Sequence, residues 1–358
     1  MNLKGRPAKI RASGNLTDSS SKSSHIKRVL KILLAMLLVL LISAMLLDWY
    51  YKQQNNDQPR ELGVSFSIKA SQGFGLNWQE NYLALLEDLG FRDLRLMSYW
   101  DLIEKSPGEY DFADLDWQFE QAERFGAKID LAIGLRQPRW PECHQPDWVS
   151  GLDYGQRDQK LNQFISEVVE RYRTSTALSA YQLENEYSNK HFGDCDYDRS
   201  NSRLQAEYDL VRSIDPDHPV RINVSNQSGI PLRKPLGDQI GFSIYFQAHF
   251  DLLGRDNSWR FILPSYWHTV RAGLVKLLDK RDVFVHEFQL EPWGDKPIAE
   301  MSIEEQLGYI DSEEVEGRLR YLEKTGIREY YLWGGEWWYY LKTRGEYSIW
   351  EAVSNILI

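Results

Sequence analysis

The sequence predicts a closed (β/α)8 barrel, a TIM barrel, over residues 61–358. Three observations lead there. Extended apolar runs alternate with amphipathic helical runs from Glu61 to the end, eight times in about 300 residues. Every extended run but the fifth is followed by a helical run, the order that gives parallel strands. A doubly wound sheet is the alternative, but the count reaches eight and the first turn, "GVSFSIKASQGFG", lacks the glycine order of a phosphate loop.

The elements follow in order. "LGVSFSI" (62–68) is the first strand. Asn77 opens a helix with Glu80 at the capping-box position and Trp78, Tyr82, Leu85, Leu86 and Leu89 on one side; Gly90 ends it. "FRDLRLMSYW" (91–100) and a helix around "DLDWQFEQAERFG" form the second unit, and "KIDLAIGL" (128–135) with "KLNQFISEVVERYR" the third. "ALSAYQLENE" is the fourth strand, followed by a helix over 200–213. "PVRINVSN" and "IGFSIYF" (240–246) are the fifth and sixth strands, and "TVRAGLVKLLDK" is a helix. "DVFVHEF" (282–288) is the seventh strand. A helical region over 302–325 opens on the capping-box pair Ser302 and Glu305, "IREYYLW" (327–333) is the eighth strand, and "SIWEAVSNIL" closes the chain.

Ahead of the barrel, "ILLAMLLVLLISAMLL" (32–47) carries no charge, and Lys31 and Lys52 bracket it. A helix of that length reaches ~30 Å, enough to cross a bilayer. Trp49, Tyr50 and Tyr51 at its exit suit a membrane interface. The bland alternatives are a buried core helix and a cleaved signal peptide; against the latter, the basic region is long and no small-residue cleavage site follows. The expected organisation is a basic, partly disordered cytoplasmic tail (1–28), a signal-anchor (29–51), a linker (52–60) and the barrel outside the cytoplasm. The tail through Lys31 holds eight Lys or Arg against Asp18, leaving 34 bases and 51 acids in the remainder, a net charge of −17. So acidic a body argues against nucleic acid as a partner.

In a barrel, chemistry belongs at the C-terminal ends of strands. Glu186 ends the fourth and Glu287 the seventh. Val283 and Val285 share the parity of Glu287 and are expected beneath it in the interior. Two facing carboxyl groups are the equipment for glycosidic cleavage, one holding a proton for the leaving oxygen and the other attacking the anomeric carbon or activating water. The bland reading is that both are solvated loop acids. Glu184, two residues before Glu186, reads as a buried partner of Arg95 or Arg139. Glu291, four residues past Glu287, reads as a sugar ligand or a rival nucleophile, though Pro292 places it beyond the strand.

The motifs "LENE" (Asn185–Glu186), "FVHEF" (Glu287) and "LRLMSYWDLIEKSPGEYDFADLDW" (94–117) together resemble the large clan of retaining (β/α)8 glycoside hydrolases that includes cellulase-like and β-galactosidase-like enzymes. The resemblance covers roughly 60–358. It implies Glu186 as acid/base, Glu287 as nucleophile and Asn185 as a contact to the sugar 2-hydroxyl. It further implies Arg95 and Tyr245 as the groups holding Glu287 charged, Trp333 as the floor beneath the reacting sugar, and a β-linked oligo- or polysaccharide substrate. Each supporting residue has a structural alternative: Arg95 in another ion pair, Tyr245 or Trp333 in the core, Asn185 capping its loop.

The loop "RQPRWPECHQPDW" (136–148) is stiffened by three prolines. Trp140 is a candidate sugar contact, with Trp293, Trp337 and Trp338 in similar positions after strands. Arg136, Arg139 and His144 either meet an acidic sugar or pair with local acids. The only two cysteines, Cys143 and Cys195, fall in adjacent predicted loops and are expected to form a disulfide bracing the cleft. No cofactor or metal is expected, since the chemistry requires none and no strong metal-ligand spacing occurs. The alternative function is a non-catalytic, membrane-anchored carbohydrate-binding or polysaccharide-assembly protein. A polysaccharide lyase fits the paired glutamates less well.

Overall fold

The computed structural model describes residues 18–189, 192–194, 196, 197, 199–225, 237–252, 255–260 and 263–357. Eight parallel strands close into the expected barrel: β1 Glu61–Ser65, β2 Asp93–Met97, β3 Lys128–Ile133, β4 Leu178–Leu183, β5 Val220–Val224, β6 Gln239–Ile244, β7 Asp282–Gln289 and β8 Glu329–Trp333. Closure is made where Val64 of β1 lies beside both Leu94 of β2 and Leu332 of β8. A two-stranded antiparallel hairpin, Gln247–Leu252 with Arg255–Arg260, is inserted after β6, in a segment the sequence analysis leaves unassigned. The helical region after β7 is two helices, Ile303–Tyr309 and Ser312–Lys324, the first with its Ser302/Glu305 capping box in place. Gly335–Thr343 is a helix that the sequence reading left unassigned.

The strands divide their faces sharply. Ile129, Leu131 and Ile133 of β3, Leu94 and Leu96 of β2, and Tyr330 and Leu332 of β8 belong to the main apolar core, packed outward against the helices. Their alternates point inward and are polar to an extent that a branched-aliphatic interior would not allow. Arg221 of β5 donates to Asp130 of β3 at 3.0 Å and to Glu329 of β8, and its guanidinium lies 4.6 Å from the Phe284 ring. Buried charges of this kind persist only when paired.

Here one expectation fails. Val283 and Val285 lie in the outer core, not beneath Glu287. β7 carries an extra residue relative to both neighbours: Phe242 and Ser243 pair with Val285 and Glu287, while Tyr330 and Leu332 pair with Val285 and Phe288. Such a bulge breaks the two-residue alternation. It turns both His286 and Glu287 toward the barrel mouth.

A helix from Asp18 to Asn55 precedes β1, beginning within the stretch read as tail; residues 1–17 lie outside the described residues. His25–Asn55 is long and apolar enough to cross a membrane, and its apolar window is unburied by the rest of the chain. Its last turns are different. Tyr51 is 3% exposed, and Gly273 of helix Ser265–Asp279 approaches so closely that a Cβ there would stand 3.0 Å from the Leu47 carbonyl oxygen. Arg328, in the turn entering β8, donates to the Asn55 and Asn56 carbonyls at 2.9 Å each. The helix thus docks at the end of the barrel where strands begin.

Candidate active site

β4 ends at Leu183, and the next three residues are shaped by an unusual backbone. Glu184 and Glu186 both have positive φ, 54° and 43°, a left-handed conformation costing of order 1–3 kcal/mol at a non-glycine residue. The turn sends the two acids to different places. Glu184 points into the wall, where it accepts the backbone N–H groups of Leu135 (3.0 Å) and Arg136 (2.8 Å) and pairs with Arg203. Neither Arg95 nor Arg139 is its partner, contrary to expectation. Gly134 (φ 104°) makes room for it; a Cβ there would stand 2.8 Å from Glu184 Oε1.

Glu186 faces the mouth. Its backbone N–H donates to Asn223 Oδ1 at 2.6 Å, Ser243 Oγ donates to its Oε1, and Asn189 Nδ2 donates to its Oε2 at 2.8 Å. Asn185 lies between the two acids. Its Oδ1 accepts from Arg95 Nη2 (3.0 Å) and Asn223 Nδ2 (2.9 Å), and its Nδ2 donates to Glu142 Oε2 at 3.0 Å. Its side chain is therefore held within the site and does not serve as a loop cap.

Glu287 receives Arg95 Nη1 on Oε1 at 3.0 Å and the Tyr245 hydroxyl on Oε2 at 2.8 Å, the two supports expected for it. His286 Nδ1 is 3.5 Å from Oε1. Burial alone would raise the pKa of Glu287. The neighbouring His286 ring, the Arg95 guanidinium and the Tyr245 hydroxyl pull it the other way, and it stands well below the ordinary carboxylate range. Tyr245 is pushed up by burial and by the Glu287 charge, so it remains a phenol that donates. Arg95 is fully buried and is further fixed by Gln182 Oε1 (2.5 Å) and Ser65 Oγ (3.4 Å).

Glu291 stands apart from that constellation. It pairs with Arg139 at 2.6 Å and accepts the Trp333 indole N–H at 2.7 Å, while Arg139 also pairs with Glu336 at 2.7 Å. The Arg139 guanidinium lies 4.0 Å from the centroid of the Trp333 ring, which is 6% exposed. In this state a guanidinium occupies the ring face that the resemblance reserves for a sugar. Arg136 is likewise absorbed by the protein, donating to the carbonyls of Asn185 and Phe192 and pairing with Glu142. His144 is lowered to about 3 by burial and the Lys69 charge, so it is neutral. The loop's bases thus meet local acids and carbonyls. Cys143 is disulfide-bonded; Cys195, the other cysteine of the chain, lies outside the described residues.

Trp140 is the exposed end of an aromatic row. It is 66% exposed and contacts Phe192 (5.9 Å between centroids); Phe192 contacts Trp293 (5.3 Å), and Trp293 contacts Tyr245 (5.4 Å). Trp337 and Trp338 are fully buried and belong to the core. Five residues of the mouth escaped the sequence reading: Glu142, Asn223, Ser243, His286 and Glu336. Asn223 and Ser243 had a usable signal, because each is a polar residue in register with an inward neighbour, Arg221 and Gly241. His286 had none, since only the bulge brings it inward.

No family model and no curated protein sequence matches the chain. Solved structures do. The barrel superposes on GH5_18 from Streptomyces cattleya in complex with GlcNAc, at 12% identity and TM-score 0.54, covering 77% of this chain and 70% of that one. It also matches xylanase 10B from Thermotoga petrophila RKU-1 in complex with xylobiose, at 16% and TM-score 0.50, covering 77% and 82%. A third match is the exo-beta-1,4-mannosidase Op5Man5 from Opitutaceae bacterium strain TAV5, at 15% and TM-score 0.51, covering 76% of this chain and 51% of that one. In fold, the chain is similar to the (β/α)8 glycoside hydrolases.

Proposed function

We propose that the chain is a retaining glycoside hydrolase acting on a β-linked oligo- or polysaccharide. The observation that carries this is the convergence of Arg95 and the Tyr245 hydroxyl on Glu287, across the mouth from Glu186. A carboxylate kept ionised by a buried cation and a phenol is equipped to attack an anomeric carbon and form a glycosyl-enzyme intermediate. Glu186 protonates the departing glycosidic oxygen and then takes a proton from the water that resolves the intermediate. Asn185 sits beside Glu186 with one amide hydrogen committed to Glu142, and its second faces the sugar 2-hydroxyl. The aromatic row from Tyr245 to Trp140 extends from the reacting centre toward solvent and supports a substrate longer than one sugar. The N-terminal helix anchors the chain in a membrane with the barrel outside the cytoplasm, where it meets cell-surface or exported glycans.

The test is turnover of a β-glycan panel by the full-length chain in detergent, with the first-formed anomer read by NMR. Retention is expected, and a 2-deoxy-2-fluoro glycoside should label the peptide containing Glu287. Glu186→Gln and Glu287→Gln should each lower kcat on an unactivated glycan by ~10²-fold or more. Inversion, or labelling at Glu291, overturns the mechanism. Glycan binding without turnover would favour the non-catalytic reading.

A further inference from the structure

Between the two carboxylates runs a buried chain of hydrogen bonds with one consistent direction, and Asn223 sets it. Its Oδ1 accepts the backbone N–H of Glu186, so its Nδ2 is the atom facing Asn185 Oδ1 at 2.9 Å and His286 Nδ1 at 3.1 Å. An amide nitrogen only donates, so His286 Nδ1 accepts. A neutral imidazole with Nδ1 accepting carries its hydrogen on Nε2. That nitrogen is 3.1 Å from Ser243 Oγ. Ser243, having accepted there, donates its own hydrogen to Glu186 Oε1. Its other acceptor, the Val224 carbonyl, is 3.5 Å away. His286 and Ser243 are fully buried and Asn223 nearly so, which leaves no solvent to reverse the order.

Of the charged groups around His286, Glu287 is in direct reach, its Oε1 3.5 Å from Nδ1. Glu287 on its own strand is held by Arg95 from β2 and Tyr245 beyond β6, and Glu186 reaches the ring only through Ser243. With the ring neutral by this hydrogen-bond order, Arg95 and the Tyr245 hydroxyl hold the Glu287 charge and the ring's own share in lowering its pKa falls away.

Resting on the glycosidase reading above, we propose that Asn223, His286 and Ser243 are positioning residues that fix the acid proton of Glu186 on Oε2. Oε1 is committed as an acceptor from Ser243. A proton on Oε2 leaves a lone pair there for Asn189 Nδ2 at 2.8 Å, and the O–H is free to face the glycosidic oxygen. When the C–O bond breaks, that hydrogen passes to the departing oxygen and Glu186 becomes a carboxylate, with Ser243 and Asn189 each donating to one oxygen. No hydrogen moves along the chain; its role is directional.

Leaving-group dependence tests this, because a good leaving group needs no acid. The full-length chain in detergent is assayed on two β-glycosides of the same sugar, one with a phenyl and one with a 2,4-dinitrophenyl leaving group. Ser243→Ala should lose about tenfold or more in kcat/KM on the phenyl glycoside and less than about threefold on the dinitrophenyl glycoside. Ser243→Thr, which keeps the hydroxyl, should restore activity on the phenyl glycoside and so remove the difference. Equal losses on both substrates, or no loss on either, overturn the proposal. A second readout needs no turnover: in 15N-histidine-labelled protein, the resonances that vanish in His286→Gln should be those of a neutral ring protonated on Nε2. An Nδ1-protonated or doubly protonated ring at neutral pH overturns it. A wild-type chain that cleaves neither glycoside, nor any member of the glycan panel, refutes the glycosidase reading and the acid proton with it. A selective loss absent from an active enzyme refutes only the positioning role.

Discussion

Replacing Arg95 with Met removes the guanidinium that contacts Glu287. The two charges stand 3.0 Å apart at their nearest atoms and both are buried. With charge centres ~4 Å apart and an effective dielectric of ~20, their interaction is about 4 kcal/mol, in line with the ~3–5 kcal/mol seen when one partner of a buried pair is removed. The loss depends on pH with a definite sign. Glu287 is held below its unfolded pKa, so its contribution to stability is present above the unfolded carboxylate value of ~4.3 and lost as pH falls through the folded one. The cost of Arg95→Met is therefore largest at neutral pH and shrinks in acid, where the variant's Glu287 is protonated. Arg95 also holds Gln182 and Asn185, so the single variant mixes several losses. A double-mutant cycle isolates the pair: denaturant unfolding of wild type, Arg95→Met, Glu287→Gln and the double variant at pH 7 should give a coupling of ~3–4 kcal/mol, lower at pH 4. Additive effects at pH 7, or coupling that grows in acid, would refute the reasoning.

Two other substitutions bear on the walls of the site. Gly134→Ala should cost ~2–4 kcal/mol of unfolding free energy, since φ is 104° and the added Cβ meets the Glu184 carboxylate; a smaller cost of the same change in a Glu184→Ala background would show that the clash is part of the cause. Arg139→Ala leaves Glu291 and Glu336 buried without their shared cation and uncovers Trp333. It should lower stability by ~3–5 kcal/mol while increasing quenching of tryptophan fluorescence by added acrylamide.

The barrel was legible because its strands carry a strong signal on one face. Leu94, Leu96, Ile129, Leu131 and Ile133 repeat every second residue, and the helices between them show the matching apolar stripe. That same regularity misled on the interior. Outward-facing valines of β7 were read as inward because alternation was carried through a bulge that the sequence does not announce. The two candidate carboxylates come to the mouth by other routes: Glu287 by virtue of the bulge, and Glu186 by virtue of a left-handed turn. Neither position follows from strand parity. The partner of Glu184 was missed for a related reason. Arg203 lies on the helix after β4, and its contact depends on where the positive-φ turn aims the side chain. Of the polar lining, Asn223 and Ser243 were readable as inward from the parity of Arg221 and Gly241, whereas His286 was not, because only the bulge brings it inward.

The docking of the N-terminal helix has a mechanical consequence. A barrel hung on a loose tether would tumble and present its opening in every direction. Here Tyr51, Gly273 and Arg328 clamp the tether's last turns to the strand-entry end, and the Glu186–Glu287 opening lies at the other end, about one strand length or ~20 Å away. In a membrane-anchored chain such a mount acts as a bracket with a built-in stand-off. Under the proposed function, the reach of the site is set by the height of its own barrel, and a glycan strand has to come to the opening.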